Sequence, residues 1–217
     1  LLSGQDVMVL MPTGGGKSLC YQIPALLPEG GIVVVISPLI ALMRDQVQTL
    51  KRIGIPAGAL HSGQELEEKR EVFRELSNSH NYILYVSPER VQNDGFGPWL
   101  QKQTKLRLFA IDEAHCISQW GSDFRQDYYK LNTLRETRPD VPILALTATA
   151  TPPVLNDISK QLSLKNPARH VYGFYRPNLF YQVESCKDDD EKNAWVKQAL
   201  RQFPTGRVII YCGTRKK

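Results

Sequence analysis

Residues 11–18 combine glycines with a lysine and a hydroxyl in the pattern of a phosphate-binding loop, Met-Pro-Thr-Gly-Gly-Gly-Lys-Ser. Glycines let backbone N–H groups turn inward around phosphates, and a helix that starts there adds the positive end of its dipole. Lys17 would supply a point charge, and Ser18 would offer a hydroxyl to Mg²⁺. The run therefore predicts a site for a magnesium-bound nucleoside triphosphate, formed by Thr13, Gly14, Gly15, Gly16, Lys17 and Ser18.

The residues on either side of this loop support that interpretation. The apolar run 7–10 precedes the loop and the helix-like run 19–23 follows it, in the strand, loop and helix order that the motif requires. The strict pattern has a glycine at the position of Met11, so the sequence departs from it there. A glycine-rich turn in an unrelated enzyme is the alternative interpretation.

Two adjacent carboxylates, Asp112 and Glu113, follow the apolar run 108–111 and come 95 positions after Lys17. One carboxylate of such a pair can hold Mg²⁺, while the other orients and deprotonates the attacking water. We therefore predict Lys17, Asp112 and Glu113 as catalytic residues, and Ser18 and Asp112 as metal ligands. An Asp-Glu helix cap is the alternative for this dipeptide.

Short β-branched runs alternate with longer helix-like stretches, which is typical of an α/β fold with a parallel sheet and helices on both faces. The predicted strands cover residues 6–10, 32–37, 57–60, 82–86, 108–112 and 143–147. The clearest predicted helices cover residues 38–53 and 65–77. In such sheets, ligands bind at the carboxyl ends of strands, so the polar residues that follow these strands should converge on one edge.

The pattern changes after about Pro167, where 170–172 and 179–183 are apolar, a helix starts in 188–192, and a strand is predicted at 208–211. We interpret this change as a linker that enters a second α/β domain. The predicted domains are a first, nucleotide-binding domain over residues 1–167, and the incomplete start of a second domain over 168–217.

The composition sets limits on the class of protein. The 217 residues carry a net charge of +5 with an isoelectric point near 9.0, which permits a phosphate-rich partner without requiring one. The four cysteines are far apart and form no Cys-x-x-Cys pair, so the spacing predicts neither a disulfide framework nor a zinc site within this chain. No apolar stretch approaches the ~20 residues that cross a bilayer, so we expect no membrane association.

Longer runs around both motifs resemble the RecQ family of superfamily 2 DNA helicases. Residues 11–25 read MPTGGGKSLCYQIPA and residues 112–121 read DEAHCISQWG. The resemblance continues through SPLIALMRDQ (37–46), YVSPER (85–90), LTATAT (146–151) and RPNL (176–179), so that it spans nearly the whole chain. In this family, methionine is the ordinary residue at the position of Met11.

The resemblance implies a RecA-like P-loop domain in an ATP-driven motor that moves 3′ to 5′ on DNA. Two such domains would close on ATP and Mg²⁺. The motor's partners would be single-stranded and partly duplex DNA, and it would unwind the duplex part in repair and recombination. By similarity, nucleotide state and DNA would be coupled through His115, Gln119, Trp120, Asp123, Phe124, Arg125, Thr147 and Thr149. The DNA path would be lined by Ser37, Pro38, Leu39, Pro88, Glu89 and Arg90, although both segments could also be ordinary strand-to-helix turns.

Residues 119–129 mix three aromatic types with charges and resemble the aromatic-rich loop of RecQ proteins. Stacking on bases at ~1 to 3 kcal/mol each would allow DNA to order this loop and align the ATPase residues beside it. Ser122 and Gln126 replace the family's usual histidine and proline, so the loop departs from the family pattern at two positions. In the alternative, Trp120 and Phe124 are core anchors at helical spacing.

The family's adenine-reading glutamine motif precedes its phosphate loop, and its arginine finger lies in the second domain. Neither is present here, so we expect a fragment that binds ATP and DNA weakly without unwinding. An arginine finger is worth ~10³ to 10⁵ in turnover.

The alternatives are an RNA helicase of the same superfamily and a nucleic-acid-binding module without motor activity. We expect a cytoplasmic, nucleoid-associated protein if bacterial, and a nuclear one if eukaryotic.

Overall fold

The computed structural model describes residues 1–121, 123–173 and 177–212. Within these ranges, one sheet has seven strands: β1 (Val7–Leu10), β2 (Gly31–Ile36), β3 (Ala57–Leu60), β4 (Asn81–Val86), β5 (Leu106–Ile111), β6 (Ile143–Thr147) and β7 (Ala168–Val171). Their spatial order is β3-β4-β2-β5-β6-β1-β7, and each neighbouring pair is parallel. The predicted fold class is confirmed.

The two helices predicted at 38–53 and 65–77 are present within two residues of those bounds. The described residues form nine α-helices and one 3₁₀ helix. They are α1 (Leu19–Ala25), α2 (Ile40–Arg52), α3 (Leu66–Asn78), α4 (Pro88–Val91), α5 (Phe96–Lys102), a 3₁₀ helix (Ala114–Ile117), α6 (Gln126–Tyr129), α7 (Asn132–Thr137), α8 (Pro152–Gln161) and α9 (Asp189–Gln202). The predicted helix 38–53 starts two residues later than expected because Leu39 is extended, with φ −121° and ψ 109°.

Both faces of the sheet are buried from β1 to β6, whereas the edge strand β7 is mostly exposed. Along β2, Val34 and Ile36 belong to one apolar cluster, while Val33 and Val35 belong to the cluster on the opposite face. Successive side chains of a strand point to opposite faces, so a continuous apolar run is what a sheet covered on both sides requires. The rigid sheet therefore fixes the positions of the loops that leave its edges.

The chain divides into two compact units, Leu1–Phe174 and Tyr175–Lys217. The predicted boundary at residue 167 falls before β7, whereas β7 pairs with β1 and completes the first unit's sheet. The assignment of the second unit to another RecA-like domain stays a prediction.

The second unit contains α9, which begins where the acidic run predicts. The carboxylate of Asp188 caps it by accepting a 2.8 Å hydrogen bond from the backbone N–H of Glu191. The predicted strand at 208–211 is wrong, because no strand of the described residues pairs with it and Tyr211 is 91% exposed. A strand requires a partner for its backbone groups, and apolar periodicity alone does not supply one.

Among the described residues, none of the helices combines the length and the apolar composition that a bilayer crossing demands.

Candidate active site

Residues of the glycine loop and the carboxylate pair line one cavity of about 380 Å³. The loop follows β1 and the carboxylates follow β5, so the parallel sheet brings both to its carboxyl edge across 95 positions of sequence. The cavity is lined by Thr13, Gly14, Gly16, Lys17, Ser18, Tyr21, Ser37, Leu42, Met43, Gln46, Tyr85, Asp112 and Glu113. Lys17 and Asp112 therefore lie on the same side of the folded molecule.

A larger cavity of about 650 Å³ lies beside α1, and its lining is mostly apolar. Its lining contains neither a lysine nor a carboxylate from the described residues. Phosphate binding needs charge and backbone donors, so the smaller, polar cavity is the candidate site.

The backbone of the glycine loop is arranged as the motif predicts. Gly14 and Gly16 have φ of +81° and +84°, a region that other residues rarely adopt. The Lys17 ammonium donates hydrogen bonds to the carbonyl oxygens of Met11 (3.2 Å) and Pro12 (3.4 Å). These contacts hold the Lys17 side chain against the first residues of its own loop.

Gly15 has a different role from its two neighbours. It does not line the cavity, and a Cβ at its position would lie 2.6 Å from Cγ of Met11 and 3.0 Å from the Pro12 oxygen. Gly15 thus makes room for the methionine that replaces the motif's usual first glycine. The direct phosphate-binding role predicted for Gly15 stays a prediction.

Asp112 is held at the end of β5 by backbone contacts. Its N–H donates to the Ile36 oxygen (2.9 Å), its carbonyl accepts from the Tyr128 hydroxyl (2.9 Å), and its carboxylate accepts from the Glu113 N–H (3.0 Å). Burial, followed by the nearby charge of Glu113, raises the pKa of Asp112 from 3.8 to about 6, although Lys17 acts against this. A cation in the cavity would oppose the same shift.

Glu113 has a left-handed backbone, with φ 46° and ψ 46°. Few non-glycine residues adopt this conformation, and its strain is typical of functional sites. Both Asp112 and Glu113 line the cavity, and the division between metal binding and water activation stays a prediction.

The side chains present fit Mg²⁺ and a triphosphate. The buried Ser37 hydroxyl lines the cavity, and none of the described residues gives it a hydrogen bond. Ser18 adds a second hydroxyl and Asp112 a carboxylate, and oxygen donors of this kind are what Mg²⁺ prefers. The orphaned hydroxyl, the lysine and the carboxylates together suit a hydrated, phosphate-bound cation.

His115 connects the carboxylate turn to the end of β6. Its Nδ1 lies 2.9 Å from the Thr147 hydroxyl and 3.4 Å from a Glu113 carboxylate oxygen. The Thr147 hydroxyl in turn donates to the Thr149 carbonyl (3.1 Å). This path runs from the predicted water-activating residue to both predicted relay threonines, and the coupling role of His115 stays a prediction.

The aromatic loop lies on the surface. Trp120 is 81% exposed and Phe124 is 39% exposed, so the interpretation of Trp120 as a core anchor is wrong. Gln119 and Asp123 are also exposed. Ser122, one of the two departures from the family pattern, lies outside the described residues, and Gln126 opens α6 at an exposed position.

Arg125 joins this loop to the segment after β2. Its guanidinium donates to the Pro38 carbonyl (3.1 Å) and to the Asp123 carboxylate (3.1 Å). Because Pro38 follows Ser37, which lines the cavity, the aromatic loop has a direct contact with a segment that borders the candidate nucleotide site.

The six residues assigned to the DNA path have unequal exposure. Ser37 and Pro88 are buried, Pro38 and Arg90 are half-buried, and Leu39 and Glu89 are exposed. Ser37 faces the cavity, so its side chain is closer to the predicted nucleotide than to an open surface.

Several cavity residues were missed by the sequence interpretation. Tyr21 and Tyr85 approach each other with hydroxyl oxygens 3.4 Å apart, and Gln46 reaches the cavity from α2. The position of Tyr21, one helical turn after Lys17, is the signal that would have placed it on the same side of α1. Tyr85 and Gln46 lie within the runs 85–90 and 37–46 that carry the resemblance, but no local periodicity assigns their side chains to this cavity, because the fold brings them in from distant parts of the chain.

Comparison with known proteins gives concordant results. The DEAD/DEAH box helicase family model matches residues 1–158. The ATP-dependent DNA helicase RecQ of Haemophilus influenzae is 47% identical over 219 residues, which cover all of this chain and 34% of that protein. The probable ATP-dependent DNA helicase RecS of Bacillus subtilis is 45% identical over 221 residues, covering all of this chain and 43% of its own length. The chain thus spans less than half of these relatives.

Solved structures share the fold at lower identity. The Hef helicase domain of Pyrococcus furiosus gives a TM-score of 0.57 at 20% identity, over 78% of this chain and 36% of that one. Helicase Lhr of Mycobacterium smegmatis, solved with single-stranded DNA and AMP-PNP, gives 0.55 at 20% identity, over 79% of this chain and 24% of that one. At these identities the likeness concerns the fold alone.

Proposed function

We propose that this chain, which belongs to the DEAD/DEAH box helicase family, supplies the nucleotide-binding part of a RecQ-type, ATP-dependent DNA helicase. The resemblance to RecQ proteins is confirmed by relatives at 42–47% identity. The observation that carries the proposal is the cavity that Lys17 shares with Asp112 and Glu113. The 3′ to 5′ direction, a role in repair or recombination, and a place in the cytoplasm or nucleus are parts of this proposal.

The chain's own residues would divide the work at the nucleotide. The backbone of the glycine loop would bind the triphosphate, and Lys17 would exchange its contacts with the Met11 and Pro12 carbonyls for contacts with phosphate oxygens. Ser18 and Asp112 would hold Mg²⁺, which when bound neutralises charge on the phosphates. Glu113, one residue beyond Asp112, would orient the attacking water and accept its proton.

DNA would act on this site through the surface loop. Trp120 is available for stacking on a base, and Arg125 links the loop to the Pro38 carbonyl beside the cavity. A change in the loop on DNA binding would therefore reach the edge of the nucleotide site directly. The path from Glu113 through His115 to Thr147 would carry nucleotide state in the other direction.

The test compares ATP hydrolysis by the full-length protein with and without single-stranded DNA. Glu113→Gln should retain ATP binding and lose turnover, while Lys17→Ala should weaken the ATP complex itself. Glu136→Gln, on the distant helix α7, serves as the charge-matched control and should change neither quantity.

Turnover that DNA fails to stimulate would contradict the motor, as would unchanged ATP affinity in Lys17→Ala. Equal stimulation by RNA would favour an RNA helicase, and ATP binding without any turnover would favour a nucleic-acid-binding module.

A further inference from the structure

Three side chains with different ligand atoms converge beside the carboxylate turn. The Cys116 sulfur lies 3.8 Å from Nε2 of His115 and 3.8 Å from Oδ2 of Asp123. All three ligand atoms lie within 4.8 Å of one another. The cysteine spacing predicted no zinc site, because that rule looks for pairs of cysteines. This cluster contains a single cysteine, and its carboxylate comes from a residue seven positions further along the chain.

We propose that His115, Cys116 and Asp123 form a binding site for a zinc-class divalent ion, with water as the fourth ligand. Zinc binds sulfur at about 2.3 Å and nitrogen or oxygen at about 2.0–2.2 Å, which in a tetrahedral site puts the sulfur about 3.6 Å from the other two donors. The observed 3.8 Å separations are close to that value. The two sulfur separations thus match a tetrahedral ion, and the separation between Nε2 of His115 and the Asp123 carboxylate, which is within 4.8 Å, would adjust by side-chain rotation.

The histidine is already oriented as a metal ligand requires. Nδ1 is engaged by the Thr147 hydroxyl at 2.9 Å, so Nε2 faces the Cys116 sulfur. A second partner of this kind fixes the ring and the tautomer of metal-bound histidines. Thr147 thus acts as a positioning residue for this ion.

The site is fixed on one side and open on the other. Cys116 is buried in the 3₁₀ helix, whereas the Asp123 side chain is 53% exposed and leaves a way in for an ion. A backbone hydrogen bond from Arg125 to Cys116 (2.9 Å) keeps the loop against the helix. The scaffold therefore exists before any ion arrives.

Binding has two local costs. Burial raises the pKa of Cys116 to about 12, so the ion must displace the thiol proton, which leaves to solvent. The ion must also compete with Arg125, whose guanidinium lies 3.1 Å from the Asp123 carboxylate. An occupied site would release Arg125 from Asp123 and clamp the aromatic loop to the 3₁₀ helix.

The consequence for activity rests on the proposed function. The loop that the ion would clamp carries Trp120, and the same histidine contacts the predicted relay residue Thr147. An ion there would hold the loop in one arrangement and prevent DNA from reordering it. We therefore expect zinc to suppress the stimulation of ATP hydrolysis by DNA.

The first experiment measures Co²⁺ binding to the 217-residue chain by absorption, in a Cys20→Ser/Cys186→Ser/Cys212→Ser background that leaves Cys116 as the single thiol. A thiolate-to-cobalt band should appear and should disappear in Cys116→Ser. Asp123→Asn should weaken binding more than tenfold, and Thr147→Val about 10- to 100-fold. Asp127→Asn, on the same loop, is the matched control and should bind normally. A missing band, or one indifferent to Asp123→Asn, overturns the site.

The second experiment measures ATP hydrolysis by the full-length protein with and without DNA while Zn²⁺ is added and then chelated. Reversible loss of DNA stimulation, absent in Cys116→Ser, supports the clamp. A cobalt band without inhibition overturns the clamp. DNA that never stimulates hydrolysis, together with a normal cobalt band, contradicts the motor and leaves the metal site intact.

Discussion

Two aspartates at opposite edges of the same sheet, Asp6 and Asp112, have contrasting surroundings. Asp6 precedes β1 and is 3% exposed, and each of its oxygens accepts two hydrogen bonds. Its partners are Nη2 of Arg135 (2.7 and 2.6 Å) and the backbone N–H groups of Ile143 (2.8 Å) and Lys165 (2.6 Å). Asp112 follows β5 and accepts one N–H, with a cavity in front of it.

The difference teaches how one fold separates stability from activity. The Asp6 carboxylate has its lone pairs engaged by the protein, so it ties together β6, α7 and the turn before β7. The Asp112 carboxylate can still accept contacts from a ligand. Its raised pKa reflects the free-energy cost of a negative charge at that buried position when no ligand is bound. We call the edge that carries Asp6 the structural edge and the edge that carries Asp112 the functional edge. Substitutions at the structural edge should therefore affect stability, and substitutions at the functional edge should affect chemistry.

The largest effect on stability should come from breaking the Asp6–Arg135 pair. Arg135→Leu leaves a buried carboxylate without its counter-charge and should lower the free energy of unfolding by about 3–5 kcal/mol in urea titrations. Lys51→Met breaks the exposed Lys51–Glu75 pair, which is also 2.7 Å long, and should cost less than about 1 kcal/mol. If both substitutions lowered the free energy of unfolding by the same amount, the buried Asp6 pair would be no more important for stability than an exposed pair.

The sequence predicted the functional edge better than the structural one. Lys17, Asp112 and Glu113, which line one cavity, were singled out because motif chemistry requires particular residue types at particular places along the chain, and their catalytic roles stay predictions. The Asp6–Arg135 contact spans 129 positions and has no local pattern, since any buried ion pair of the right geometry would serve. The same limit applies to the cluster of His115, Cys116 and Asp123, which depends on how the loop folds back.

The strands show where periodicity is sufficient. β3 and β6 were predicted with their observed bounds, and β1, β2, β4 and β5 within two residues, because continuous apolar runs are what a sheet buried on both faces selects. The edge strand β7 has no such run and was not predicted. Residues 208–211 have the same apolar character and form no strand. Pairing depends on a neighbour, which the local pattern does not contain.

A second prediction concerns Asp112 and pH. Its folded pKa of about 6 exceeds the ordinary 3.8, so the folded chain binds this proton more tightly than the unfolded chain. The resulting stabilisation is fully present below pH 3.8 and is lost as the pH rises through about 6. Without Mg²⁺, Asp112→Asn should therefore be more stable than the parent above pH 6, by up to about 3 kcal/mol.

The measurement is unfolding in urea at several pH values with a chelator present. The advantage of Asp112→Asn should shrink as the pH falls from 6 towards 4, while the exposed Asp94→Asn should stay within about 0.5 kcal/mol throughout. If Asp112→Asn were destabilised at pH 7.5, Asp112 would be a structural residue like Asp6.

The smallest effect should come from the strained turn at Glu113. Glycine adopts φ of 46° without the steric cost that other residues have, although it also loses more entropy on folding. Glu113→Gly should therefore raise the free energy of unfolding by about 0.5–1 kcal/mol while abolishing turnover. Asn166→Gly is the matched control, because Asn166 has φ of 44° at the structural edge and asparagine tolerates that conformation. A gain at Asn166 but not at Glu113 would mean that the strain is not stored at the functional edge.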